Sequence, residues 1–433
     1  MLGLFLVPVR EWSLIGALQL ILAAVLLASL GSRLRRYYRL RDFGGPILAG
    51  FSRLWLVRAV WSGKAYLEFW DVTRKHGSIA RVGPNDLITS DPELVKHMYN
   101  VRSDYRRSTW YDGMRFDPSR DNLLSLRNED AHRDLRAKMA AGYSGREIDG
   151  LEPKIDENII RFTDMLASYA DSGKPVDLGR KVQYFTLDVI SDIAFGDPFG
   201  FLETDSDVYK YIETTESTLP VVMVTTVVPF LVKLLASPLL KTALPSEKDV
   251  LGFGRVMSVA GSDTTATAIR STLLHIITSP RVVARLQQEI SEASPSAYVI
   301  TDEEARRMPF LQAVIKEGLR IFPPVAGLMA KEAPPGGHHW KGQYIPGGTR
   351  VGSCAWGIFR REDIWGVDSQ EFRPERWLES SPEQLHLMEG TLDLIFSYGR
   401  WQCLGRPIAL IELNKIFVQV LYPPSLVVQP LAF

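Results

Sequence analysis

The sequence predicts a mainly helical fold with a small β-rich part, carried behind one apolar N-terminal helix. Three patterns lead there. Apolar residues recur at helical spacing over Lys154 to Ala170, Ser271 to Ser291 and Glu303 to Phe322. Strand-like signals are confined to Ile79 to Val82 and to Tyr344 to Val351, which Pro346-Gly347-Gly348 interrupts. Leu14 to Leu30, finally, carries no charge at all. Composition agrees: 46% apolar residues, 23% charged and a formal net charge of zero describe a globular chain with a large core. That balance excludes a disordered chain and offers no basic surface for nucleic acid. With no internal repeat or low-complexity linker, one domain follows the apolar helix.

The N-terminal run comes first in order. At about 1.5 Å per residue it spans roughly 25 Å, at the short end for a bilayer core of about 30 Å. Trp12 suits one interface, and Arg33, Arg35, Arg36, Arg39 and Arg41 crowd the other end, while Arg10 and Glu11 precede the run. The positive-inside rule then puts the bulk of the protein on the cytoplasmic side. A cleaved signal peptide is the alternative, but here the basic cluster follows the run instead of leading it. Leu219 to Leu240 is also apolar, yet Pro220, Pro229, Lys233 and Pro238 divide it, predicting a substrate-side or membrane-dipping helix pair.

The most informative local feature is Cys403, one of two cysteines in 433 residues. It lies in Phe396-Ser-Tyr-Gly399-Arg400-Trp-Gln-Cys403-Leu-Gly405-Arg406. Gly399 and Gly405 allow a tight turn or close approach to a flat ligand. The neighbouring guanidinium groups favour a thiolate. A lone thiolate in such a loop, followed by an apolar helix over Leu404 to Leu421, suits an axial ligand of heme iron. A buried free cysteine is the competing reading. Two cysteines so far apart suggest no disulfide framework, and Cys/His clusters with zinc spacing are missing. His338-His339 falls in a Gly/Pro-rich loop, where solvation is expected.

Three further constellations carry chemistry. Ala260-Gly261-Ser262-Asp263-Thr264-Thr265 sits in an apolar helical run ending near Ile277. Gly261 weakens the helix by about 1 kcal/mol relative to Ala, and Thr264 competes for backbone carbonyls. An acid beside an alcohol at such a weak point can relay protons through water; alternatively, Ser262 or Asp263 simply starts a helix. Glu317 and Arg320 share one helical face, a pair contributing only about 0.2–0.5 kcal/mol when exposed. Phe372-Arg373-Pro374-Glu375-Arg376-Trp377 reads as a loop whose Arg376 can join that pair with bidentate geometry, or stay solvated.

In this order the four constellations resemble the cytochrome P450 family, from the anchor to about Leu421. Phe322-Pro323-Pro324 and Tyr344-Ile-Pro-Gly-Gly-Thr349 fit the same pattern. Arg136-Ala-Lys-Met-Ala-Ala-Gly-Tyr-Ser144 and the cysteine loop are similar to filamentous-fungal, pisatin demethylase-like members. The resemblance implies the cytochrome P450 fold, a large helical subdomain plus a small β-rich one. Residues 1–31 are then the membrane anchor and 32–433 the heme domain. It implies heme b held by Cys403 as thiolate and metal ligand, with Phe396 close to the sulfur. Asp263 and Thr264 match the acid–alcohol pair that delivers protons to dioxygen, and Glu317, Arg320 and Arg376 match a structural charge network. His132, in place of the family's tryptophan, and Arg136 match positions contacting the heme propionates. Val325, Ala326, Gly327, Leu328 and Met329 match the substrate pocket wall.

Some positions depart from the family. The arginine two residues before the cysteine is replaced by Trp401, leaving propionate contact to Arg400 and Lys331. Leu202 to Val259 is short for the helices that roof the pocket, Gly252 and Gly254 weaken the central helix, and the family's terminal hairpin is expected to be absent after Leu421. The expected function is a membrane-anchored heme-thiolate monooxygenase. It oxidises a lipophilic small molecule of fungal secondary metabolism with O2 and electrons from NADPH through a cytochrome P450 reductase. By resemblance it is single-pass in the endoplasmic reticulum membrane, with the catalytic domain facing the cytoplasm. Arg400, Arg406 and Lys415 form the expected basic docking face. The alternatives are a shortened, non-catalytic heme-binding membrane protein and a heme-thiolate isomerase or dehydratase.

Overall fold

The computed structural model describes residues 14–115, 120–143, 150–235 and 259–421. Readings that rest on Trp12, Pro238, Gly252, Gly254 or the residues after Leu421 lie outside these. The longer helices are α1 (Leu14–Arg39), α2 (Glu129–Tyr143), α3 (Leu151–Ser172), α4 (Leu178–Phe195), α5 (Tyr211–Val227), α6 (Thr264–Ile277), α7 (Pro280–Ala293), α8 (Pro309–Ile321) and α9 (Arg406–Leu421). The strands are β1 (Ile79–Gly83), β2 (Asp86–Thr89), β3 (Arg106–Arg107), β4 (Lys331–Glu332), β5 (His338–Trp340), β6 (Gln343–Ile345) and β7 (Arg350–Ser353). A mainly helical body with a small β part is therefore what the chain forms.

Helix α1 is the one described helix long and apolar enough to cross a membrane, and none of its apolar window is buried. Leu18, Ile21, Leu26 and Leu27 are each more than half exposed, as a bilayer-facing helix requires. Its C-terminal end is tied to the body. Arg81 of β1 donates to the carbonyls of Arg36 (3.0 Å), Tyr37 (3.0 Å) and Gly50 (3.1 Å), placing a cation on the last turn of α1.

The five-stranded sheet has the order β1-β2-β7-β4-β3. β1 and β2 are antiparallel, with Ile79 opposite Thr89; β2 and β7 are parallel, with Asp86 opposite Arg350. β4 joins β7 and β3 antiparallel, which carries Lys331 into the interior beside Arg107. β5 and β6 make a separate hairpin. Tyr344 to Val351 is thus two strands in two sheets, because Pro346 supplies no amide proton and the glycines turn the chain. His338 and His339 belong to β5 instead of a solvated loop. His338 stacks on His97 (centroids 4.6 Å apart) and bonds the Tyr105 hydroxyl at 3.1 Å.

Proline also divides two of the expected helices. Ser271 to Ser291 becomes α6 and α7, broken at Ser279-Pro280, and Glu303 to Phe322 becomes Asp302–Arg306 and α8, which opens on Pro309. The ring disfavours helical geometry in the preceding residue but is tolerated at the first helical position. A capping box starts the first piece: Thr301 and Glu304 exchange hydrogen bonds between side chain and backbone. The largest core cluster is built by α3, α4, α6, α7, α8 and α9, with Phe162, Phe185, Leu273, Leu311 and Phe417 fully or nearly fully buried. A second cluster joins the sheet to Trp365, Trp377 and Trp401. The cysteine loop runs between them.

Candidate functional site

The loop that holds Cys403 is shaped by its neighbours. Gly399 has φ +60°, and a Cβ there would meet the Tyr99 carbonyl oxygen at 2.5 Å, so both the turn and the close approach require glycine. The Cys403 amide donates to the Phe396 carbonyl (2.8 Å), closing the turn before α9. Gly405 packs close to the sulfur, a Cβ there lying 3.8 Å from it, and the backbone N–H groups of Gly405 and Arg406 act to lower the thiol pKa. Cys403 is exposed, whereas Cys354 is buried, with its thiol within 3.8 Å of the Thr73 hydroxyl. Of the two cysteines, the core residue is Cys354, and burial pushes its thiol up to about 11.

Cys403 touches solvent, but the protein around it still desolvates the thiol, and this raises its pKa. The two N–H groups and the guanidiniums of Arg136 and Arg406 work in the opposite direction without winning. The nearby arginines therefore act in the expected direction, toward the thiolate, but burial outweighs them. A bound metal cation would tip the balance, because a coordinating thiol is deprotonated outright.

Next to the loop, positive charge accumulates without enough anions to balance it. The Trp401 ring has the Arg107 guanidinium and the Lys331 ammonium each 4.1 Å from its centroid, and the His132 ring 4.3 Å away. Arg107 is held by the carbonyls of Leu123 (2.9 Å), Leu124 (2.9 Å) and Leu126 (2.8 Å). Lys331 is fully buried, and its Nζ has no hydrogen-bond partner among the described residues. Burial and then the Arg107 charge pull its pKa down to about 7. Burial, followed by the charges of Arg107, Arg136, Lys331 and Arg400, pulls His132 down to about 3, so its imidazole is neutral. Arg400 turns elsewhere, to the Glu129 carboxylate (2.5 Å) and the Val101 carbonyl. An exposed thiol beside an orphaned buried ammonium is a donor set that fits heme, the sulfur for iron and the cations for propionates.

The acid–alcohol pair does not begin a helix. Val259–Asp263 is a π-helical turn running directly into α6, and Asp263 caps nothing with its side chain. The Thr264 hydroxyl donates to the Ala260 carbonyl (2.8 Å), widening this turn. Asp263 accepts from Gln183 Nε2 at 2.6 Å; burial raises its carboxyl, and the Gln183 bond and the Arg270 charge moderate that.

Glu317, Arg320 and Arg376 meet in one buried cluster, not on a surface or in a solvated loop. Arg320 grips Glu317 with two bonds (2.9 and 2.8 Å), Arg376 Nε adds a third at 3.0 Å, and Trp377 Nε1 and the Arg373 amide each donate at 2.9 Å. Burial alone would raise the Glu317 carboxyl; the bonds and charge of Arg320 with that of Arg376 hold it below its ordinary value. The remaining N–H groups of Arg320 reach the carbonyls of Phe359, Ser369 and Glu371, pinning the loop before Arg376.

Of the expected pocket wall, Val325 is exposed and Ala326, Gly327 and Met329 are half-buried. Leu328 departs from expectation: it is 3% exposed, packed over Gly352 in a third core cluster. Met329 has φ +43°, and its carbonyl accepts from Tyr99 (2.5 Å) and Tyr111 (3.0 Å). Lys415 also departs. It is fully buried between Glu152 and Asp156, so it forms no docking face. Gln183 and Arg107 had no sequence signal, since each acts on residues remote in the chain.

The sequence model described as Cytochrome P450 matches residues 48–250 and 241–430, in two pieces that meet near 241–250. Similar proteins include the Cytochrome P450 monooxygenase ABA1 of Pyricularia oryzae, 39% identical over 93% of this chain and 90% of that protein. The Cytochrome P450 monooxygenase aba1 of Botryotinia fuckeliana is 35% identical over 88% of this chain and 86% of its own. A Pisatin demethylase of Fusarium vanettenii is 29% identical over 88% of this chain and 84% of its own. The first alignment runs over 460 positions, more than the 433 residues of this chain, so that relative carries residues missing here.

Proposed function

The chain belongs to the cytochrome P450 family of monooxygenases, and on that premise we propose that it oxidises a lipophilic small molecule of fungal secondary metabolism, with Cys403 as the iron ligand. The observation that carries this is the exposed Cys403, in a tight glycine turn beside the buried Lys331 and Arg107, whose Nζ and Nε have no hydrogen-bond partner among the described residues. Bound heme supplies the redox chemistry that puts one atom of dioxygen into substrate and the other into water. Everything else is done by the chain. The N–H groups of Gly405 and Arg406 moderate the charge on the sulfur, and Phe396 shields it. Lys331, Arg136 and His132 would hold the heme propionates; Arg400 would help through its charge, its hydrogen bonds being committed to Glu129 and Val101.

Thr264 and Asp263 hold and pass protons at the π-helical turn. Val325, Ala326, Gly327 and Met329 wall the substrate, while Leu328 braces them from the core. The buried Glu317, Arg320 and Arg376 cluster fixes the loop leading to the cysteine. Helix α1 anchors the chain in the endoplasmic reticulum membrane with the body on the cytoplasmic side, where a reductase delivers electrons from NADPH. Product formation in membranes supplied with reductase, NADPH and a panel of lipophilic small molecules tests this reading, with loss expected in Cys403→Ser.

A second reading is favoured by one observation. The family match is split near 241–250 and the alignment to ABA1 is longer than the chain, as a shortened, non-catalytic heme binder would show. A protein that binds heme through Cys403 but never couples NADPH use to product would support it.

A further inference from the structure

We infer that Gln183 is a positioning residue for Asp263: its amide tethers one carboxylate oxygen, leaves the other to exchange protons, and links the acid to solvent-facing Arg270. This rests on the reading of Asp263 as the proton carrier. Gln183 is buried on α4, at the level where α4 crosses the π-helical turn. Gly261 makes the crossing close, since a Cβ there would meet the Ile190 side chain at 2.9 Å.

The hydrogen bonds fix the direction of the amide. Gln183 Nε2 donates both its protons, to Ser262 Oγ (2.6 Å) and Asp263 Oδ1 (2.6 Å), and Oε1 accepts from Arg270 Nη2 at 3.3 Å. The flipped amide would set two oxygens together at Asp263 and two donors together at Arg270, so only one orientation satisfies every partner. Among the described residues no hydrogen bond is made to Asp263 Oδ2, and Asp263 is only partly buried. One oxygen is therefore an anchor and the other is available.

A neutral tether suits this task. An arginine or lysine at position 183 would hold Asp263 as a permanent carboxylate, whereas an amide orients it and still lets it gain and lose a proton. The charged groups around the acid are Arg270 on its own helix, Glu216 from α5, and, acting on Arg270, Asp177 at the start of α4. Glu216 in turn lies 3.5 Å from Arg180 of α4. Arg270 is exposed, so the chain Asp263–Gln183–Arg270 runs from the π-helical turn to solvent.

The test uses the full-length protein with Gln183→Met, which keeps length and loses the hydrogen bonds, and Gln183→Asn, which keeps the amide and loses reach. Isotope-edited infrared titration follows the Asp263 carboxyl, assigned by Asp263→Asn. Gln183→Met is expected to move protonation of that carboxyl to higher pH, because the lost bond favoured the ionised form. Product per NADPH is expected to fall roughly tenfold, with KM and the carbon monoxide band unchanged. If Gln183→Met does not bind heme, Gln183→Asn carries the same expectation. Wild-type titration and coupling in the folded variants would overturn the proposal. Should Asp263→Asn leave coupling intact while Gln183→Met still shifts the carboxyl, the proton-carrier reading fails and the tether stands.

Discussion

Glu317→Gln is the perturbation that the buried charge cluster makes most costly. The carboxylate, itself fully buried, accepts five hydrogen bonds, from Arg320 twice, Arg376, Trp377 and the Arg373 amide. An amide presents an N–H to a guanidinium that needs an acceptor and removes the charge balancing two buried cations. Arg376 keeps Asp368 at 2.9 Å, but Arg320 is left with carbonyls alone. Removing one partner of a buried pair costs about 3–5 kcal/mol, against a total stability of roughly 5–15 kcal/mol. The contrast is Lys75→Gln: its pair with Asp71 is 2.6 Å long but exposed, which makes it worth about 0.3–0.5 kcal/mol. Loss of the carbon monoxide band with temperature is the assay, since a chain of this size need not unfold in two states. Glu317→Gln should lose it many degrees below the wild type and Lys75→Gln within a degree or two. The pH dependence has a definite sign. The folded Glu317 carboxyl lies below its ordinary value of 4.5, so its contribution is complete above that pH. As pH falls through the depressed folded value, that contribution is lost and the two proteins converge. Equal melting of Glu317→Gln and Lys75→Gln at neutral pH would refute the reasoning.

Three other outcomes follow from the site. Lys331→Met should weaken heme retention by roughly tenfold or more in dilution or chelator-exchange assays, because it removes the buried ammonium that lacks a partner; unchanged retention would remove it from the propionate set. Thr264→Ala should leave the carbon monoxide band in place while NADPH is spent without product, measured as peroxide released per NADPH. His132 is neutral when folded, with its pKa at about 3 instead of 6.5, so the unfolded chain takes up the proton first. Wild-type stability should therefore fall from about pH 6.5 downward, and His132→Phe, with the ring still packed on Trp401, should show a shallower fall in a thermal-shift series.

Most of the architecture was legible because it rests on local rules. The apolar run, the helical periodicities and the short strands all appear near their expected places, while the errors sit at Pro280, Pro309 and Pro346, where one proline divides a periodic stretch. The Glu317–Arg320 spacing is visible locally, but its burial is not, since Arg376 and Trp377 arrive from about sixty residues away. Trp401 could be read as a departure from the family; only the fold reveals that its ring collects Arg107 and Lys331. Lys415 illustrates the opposite failure, because a lysine in an apolar helix reads as surface until Glu152 and Asp156 are seen enclosing it.

Iron ligation, and with it the proposed oxidation, turns on the sulfur of Cys403. The direct measurement is the Soret band of the purified, reduced, carbon monoxide-bound protein, compared with Cys403→Ser and Cys354→Ser. A strongly red-shifted band in the wild type and in Cys354→Ser, lost in Cys403→Ser, is the predicted result. A red-shifted band that survives in Cys403→Ser, or disappears with Cys354, would contradict it.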